Sequence, residues 1–112
     1  RFKVLVVDDV PSNYLILIRI LRSLGINNVM SADSGEMALD LIEEPALEGS
    51  QPFNLVILDN MMPGLNGHEV VRILREKYDP SSMFVIGCTG SAVEQDRKQF
   101  LEAGLNALYL KP

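Results

Sequence analysis

The chain has 112 residues, 47% of them hydrophobic, which suffices for one domain with one sizeable core. With 15 acidic residues against 10 basic ones, its net charge of -5 argues against nucleic acid as a direct partner, since phosphate-backbone binding needs clustered Lys and Arg. No apolar run approaches bilayer length and no secretory-type leader opens the chain, so a cytoplasmic domain without membrane contact is expected.

Residues 2–7 read as a strand, with one Lys at the entrance followed by β-branched and aliphatic residues. Asp8 and Asp9 end it. Pro11 opens a helix that runs to about Leu24, Pro being tolerated because the first amides have no helical partner, and Gly25 closes it. Its expected core stripe is Leu17, Ile20, Leu21 and Leu24, joined by Ile16. Tyr14, Leu15 and Ile18 then fall on the outer side, between Arg19 and Arg22, either as scattered surface apolar residues or as a docking surface.

A short second strand at residues 29–32 leads into a helix over residues 36–44, with Met37, Ala38, Leu39, Leu41 and Ile42 inward and Pro45 at its end. Residues 45–52 are the least patterned part of the chain and read as a surface loop without function. The third strand, from Leu55 onward, is an unbroken aliphatic run that ends in Asp59. Turn chemistry follows at Met62-Pro63-Gly64 and at Asn66-Gly67. Taken alone, Asp59 suits a local strand or turn cap as well as a functional carboxylate.

Residues 69–78 form a third helix facing inward through Val70, Val71 and Leu74, and Asp79-Pro80 closes it. Residues 83–89 are a fourth strand that contains Cys88, read as a buried small hydrophobe, and ends in Thr89. With one cysteine and one histidine, neither an internal disulfide nor a zinc cluster can form. Gly90-Ser91 turns into a fourth helix ending at Ala103-Gly104, with Phe100 and Leu101 as its core contacts. Residues 107–110 are a fifth strand, followed by Lys111.

This βα alternation predicts an α/β fold, a doubly wound parallel sheet of five strands with helices on both faces. The ends at Arg1 and Pro112 suggest that residues 1–112 are one domain excised from a longer protein. A further helix would be expected after Pro112. Without it, apolar surface near the first and fifth strands should be uncovered and stability lowered.

In a parallel sheet, Asp8, Asp9, Asp59, Thr89 and Lys111 all emerge at one edge. Each has a local explanation, but local explanations do not account for the shared location. Three gathered carboxylates repel one another unless a cation compensates, and an all-oxygen set with few protein ligands suits Mg²⁺ better than Ca²⁺ or Zn²⁺. Lys111, the Thr89 hydroxyl and the Gly90 amide add a positive charge and donors, together a pocket for a phosphoryl group. A carboxylate such as Asp59 can accept phosphoryl on oxygen to give an acyl phosphate.

These residues resemble the receiver domain of two-component response regulators and hybrid histidine kinases. The likeness rests on Val6-Val7-Asp8-Asp9, on Asp59 through Gly67, on Thr89-Gly90 and on Lys111-Pro112. It implies a flavodoxin-like sheet in order 2-1-3-4-5 with the last helix missing, and Asp59 as phosphoacceptor. It also implies Asp9, Asp59 and the Met61 carbonyl as direct Mg²⁺ ligands, Asp8 ordering metal-bound water, and Thr89 and Lys111 on the phosphoryl group. The partner would be a histidine kinase or a histidine-containing phosphotransfer domain, docked at Tyr14, Leu15 and Ile18. The chain would be a monomer or weak homodimer, cytoplasmic or on the cytoplasmic side of a membrane-anchored kinase.

Asn66 stands where the family has Asp, and Leu108 where it has Tyr or Phe, so the usual aromatic switch is missing. Tyr109 cannot replace it, because adjacent strand residues face opposite ways. Met61 and Ser91, at positions that tune phosphoryl lifetime in the family, cannot position an attacking water, which implies slow autodephosphorylation. Two other classes remain: a receiver-like interaction module that is not phosphorylated, and a free-standing Mg²⁺ phosphohydrolase, which would need a substrate-covering cap and an acid beside the nucleophile.

Overall fold

The structure, a computed structural model, describes residues 2–43, 53–91 and 93–111. Five strands alternate with four helices along them: β1 (Val4–Val7), α1 (Pro11–Ser23), β2 (Val29–Ala32), α2 (Gly35–Glu43), β3 (Leu55–Asp59), α3 (Gly67–Arg75), β4 (Phe84–Thr89), α4 (Glu94–Glu102) and β5 (Ala107–Leu110). All four strand pairings are parallel, and the sheet order is β2-β1-β3-β4-β5. This is the expected doubly wound α/β fold. The expected end of α2 and the loop at residues 45–52 lie outside the described residues.

The strands read as continuous apolar runs because both faces of the sheet are covered, yet their side chains still alternate. On one face Leu5, Val7, Val56, Leu58 and Val85 pack with Ala38 of α2, with Val70, Val71 and Leu74 of α3, and with Phe100 of α4. On the other, Val4 and Val6 pack with Leu21 of α1, flanked by Tyr14, Leu17, Leu55 and Ile57. Fully burying an aromatic or aliphatic side chain contributes roughly 1.5–3 kcal/mol, so Phe100 and the valines of β1 anchor the two halves.

Helix α1 is rotated from the expected phase. Tyr14, Leu17 and Leu21 turn toward β1, whereas Ile16, Ile20 and Leu24 are exposed. The helix is apolar nearly all round, so spacing alone could not choose between adjacent stripes. Of the three residues assigned to its outer side, Leu15 is exposed at 56%, while Tyr14 and Ile18 are half-buried. Gly25 follows the helix at φ 87°, the left-handed conformation expected of its stop.

Other boundaries move for local reasons. Residues 2 and 3 lie outside the β1 ladder, although Lys3 donates its amide to Asn54 Oδ1 at 2.8 Å. Helix α3 begins at Gly67, two residues early, because Asn66 and Glu69 form a reciprocal capping box. Met37 and Leu101, expected inward, are exposed.

Among the described residues, α1 is the one helix on its face of the sheet. In register with Leu55, Ile57 and Asp59, the side chains of Phe84, Ile86 and Cys88 share that face, as do those of Ala107 and Tyr109. Phe84 and Tyr109 are exposed there, as anticipated near the fifth strand, whereas the first strand, also expected to be uncovered, is buried throughout because α1 packs on it.

Candidate phosphoacceptor and metal site

The carboxyl ends of β1, β3, β4 and β5 converge at one edge. Asp8 (3% exposed) and Asp59 (7%) are buried, Asp9 is exposed, and one carboxylate oxygen from each lies within 4.8 Å of the others. Lys111 follows β5, and its ammonium lies 3.3 Å from Asp8 Oδ2 and 3.3 Å from Asp59 Oδ2. Thr89 ends β4 and is fully buried. The five residues singled out as emerging at one edge therefore do share it.

Each acid is held by its own loop. Asp8 Oδ1 accepts from the Val10 amide at 2.9 Å, closing a tight turn ahead of α1. No side chain caps α1, so Asp9 is not its N-cap. Asp59 Oδ1 accepts a long bond of 3.4 Å from the Met61 amide. The loop after Asp59 then folds back tightly, and a Cβ on Gly67 would stand 2.6 Å from the Asp59 carbonyl oxygen, so only glycine permits the approach.

Electrostatics favour an added cation. Burial raises the pKa of Asp59; Lys111 opposes the rise and the Asp8 charge adds to it, leaving the carboxyl above its ordinary value. Lys111 is raised as well: burial, the largest single influence, pulls it down, but Asp59 and Asp8 together outweigh it. Two buried acids thus share one ammonium. The donor set, three carboxylates with neither histidine nor thiolate among them, fits Mg²⁺.

Beside the acids runs a groove of about 280 Å³ lined by Val7, Asn13, Ile16, Leu17, Ile57 and Cys88 together with Asp8, Asp59 and Lys111. Burial raises the Cys88 thiol pKa, with Lys111 opposing, so the thiol stays protonated; it is half-buried at the groove, not fully buried as expected. Thr89 Oγ1 accepts from the Ser91 amide at 3.1 Å; Ser91 Oγ accepts from Val93 and donates to Asp96 Oδ2 at 2.9 Å. Leu108 is half-buried in the core shared with Phe100, and Tyr109, on the opposite face, is 61% exposed.

Asn60 escaped the reading of the sequence. It is 6% exposed and follows Asp59 directly, and its side-chain oxygen accepts from the His68 amide at 3.2 Å. A polar residue at the end of a buried strand was the available signal. Its partner eight residues away was not visible in the spacing.

A five-stranded parallel sheet in this order, carrying three acids, a hydroxyl and a lysine at its carboxyl edge, defines a receiver-type domain. The chain belongs to the response regulator receiver domain family, which matches residues 4–112. It is 37% identical to the virulence sensor protein BvgS of Bordetella bronchiseptica over 98% of this chain and 9% of that protein. It is 30% identical to the chemotaxis protein CheY-3 of Vibrio cholerae over 100% of this chain and 82% of that protein. The receiver domain of sensor histidine kinase PA1611 from Pseudomonas aeruginosa, a structure with magnesium coordinated in its active-site cleft, superposes with a TM-score of 0.82 at 29% identity, covering 99% of this chain and 85% of that one. The chain thus spans about a tenth of the sensor proteins it matches. Among the described residues, no helix is long and apolar enough to cross a membrane.

Proposed function

We propose that this domain accepts a phosphoryl group from a phosphohistidine onto Asp59, in a Mg²⁺-dependent step of a phosphorelay. The observation that carries the reading is the shared edge: three carboxylates within 4.8 Å of one another, with Lys111 3.3 Å from two of them. Family membership supports it.

In this reading an Asp59 carboxylate oxygen attacks phosphorus in line, and the phosphorus–nitrogen bond breaks with its electron pair returning to the imidazole. Asp9, Asp59 and the Met61 carbonyl would hold the metal directly, with Asp8 beside them to order water bound to it. When bound, Mg²⁺ supplies positive charge to the phosphoryl oxygens. Lys111 adds a second cation, and the Thr89 hydroxyl and Gly90 amide donate hydrogen bonds to the transferred group. Positioning and charge neutralisation thus do most of the catalysis.

The partner in this account is a histidine kinase or phosphotransfer domain that meets the start of α1, where Leu15 is exposed beside half-buried Tyr14 and Ile18. The domain works on the cytoplasmic side, within a longer sensor kinase or regulator. Mixing it with a histidine-phosphorylated phosphotransfer domain tests this. Label should pass to this chain in Mg²⁺, with amide shifts in α1; no transfer, or transfer indifferent to Mg²⁺, contradicts it.

A further inference from the structure

We propose that Asn60 is a positioning residue, whose carboxamide fixes the loop that presents Asp59 and Met61; the inference rests on the functional reading above. Asn60 is tied on three sides. Its amide donates to the Cys88 carbonyl at 3.1 Å, which extends the sheet one residue beyond Asp59. Its carbonyl accepts from Gly67 at 3.0 Å, and its side-chain oxygen accepts from His68 at 3.2 Å. The first two amides of α3 are thus bound to one residue at the far end of the acceptor loop.

Helix α3 does not need Asn60 in order to start. Asn66 and Glu69 already form a capping box there, with the Asn66 amide donating to Glu69 Oε1 at 3.0 Å. What the Asn60 carboxamide adds to the backbone bond from Gly67 is a second tie across the loop, to the His68 amide. The Met61 amide, the next donor along the chain, reaches Asp59 Oδ1 at 3.4 Å, at the outer limit of a useful bond. A small rotation of the peptide between Asn60 and Met61 would break it and turn the Asn60 carbonyl from the Gly67 amide, loosening the loop that presents the Met61 carbonyl assigned to Mg²⁺. An apolar side chain could fill the same buried space but would leave the His68 amide without its partner.

The test separates loop positioning from helix capping. Mg²⁺ affinity, amide exchange of Met61 and His68 in metal-free protein, and melting temperature are measured for wild type, Asn60→Leu, Asn60→Asp and Asn66→Ala. Asn60→Leu should bind Mg²⁺ about tenfold more weakly, the lower end of the usual effect of an outer partner of a metal site. Its Met61 amide should exchange faster without metal, and Asn60→Asp, which keeps an acceptor oxygen, should restore slow exchange. Asn66→Ala should lower the melting temperature and leave Mg²⁺ affinity in place. Should Asn60→Leu not fold, Asn60→Ser, too short to reach His68, gives the same comparison. Wild-type affinity in Asn60→Leu or Asn60→Ser, or an equal loss in Asn66→Ala, overturns the inference alone. Failure of the wild type to bind Mg²⁺ overturns the functional reading along with it.

Discussion

The Lys111 ammonium stands 3.3 Å from the carboxylate of Asp59, yet burial outweighs this partner and leaves the Asp59 pKa raised above 3.8. A raised pKa means that the fold prefers the protonated acid. That contribution to stability is fully present below the unfolded value and is lost as pH rises through the folded one. Metal-free Asp59→Asn should therefore melt roughly a few degrees above wild type near neutral pH, and the gap should close below pH 3.8. Thermal melts across acid and neutral pH check this; a variant less stable than wild type at neutral pH contradicts it.

The Thr89 hydroxyl oxygen accepts from the Ser91 amide, and Ser91 passes the connection to Asp96 at the start of α4. Turning Thr89 toward a phosphoryl group would withdraw that acceptor. With Leu108 in the core and Tyr109 on the opposite face, no aromatic ring follows the movement. On phosphorylation, amide shifts should therefore concentrate at Ser91 and Val93, with the Tyr109 ring unchanged. An unperturbed Ser91 amide, or a newly buried Tyr109, argues against this route.

Met61 is 64% exposed at the mouth of the site and has no group to orient water, and the Ser91 hydroxyl is already engaged by Asp96. The acyl phosphate on Asp59 should consequently decay slowly in Mg²⁺. Following phosphorylated protein by intact mass after removing the donor measures the rate, and decay within seconds contradicts the expectation.

At the opposite end of the sheet, Arg75 joins three elements. Its guanidinium donates to the Gly104 carbonyl at 2.8 Å, the Met83 carbonyl at 2.8 Å and Asn106 Oδ1 at 2.7 Å. Arg75→Ala should destabilise the domain by about 2 kcal/mol, since charged hydrogen bonds to partly buried acceptors are lost together. Arg75→Lys should recover little, because a point charge cannot reproduce the fork. Denaturant unfolding gives both values, and Mg²⁺ affinity should not change.

The strands and the active edge were legible because parallel strands place the ends of separate apolar runs side by side, so Asp8, Asp59, Thr89 and Lys111 could be assembled before any distance was known. The strand order was not contained in the alternation of elements and came from the resemblance. Helix α1 was misread because its apolar residues surround it, and only packing on Val4 and Val6 selects Tyr14 over Ile20. The role of Asn60 was hidden because it depends on a bond from His68, on the far side of a loop whose path the spacing does not reveal.

The central claim is that Asp59 is the phosphoacceptor. Intact mass after incubation with a small phosphodonor, with and without Mg²⁺, tests it most directly. The account predicts one added phosphoryl group on the wild type in Mg²⁺ and none on Asp59→Ala. Unmodified wild type, or equal modification of Asp59→Ala, would contradict it.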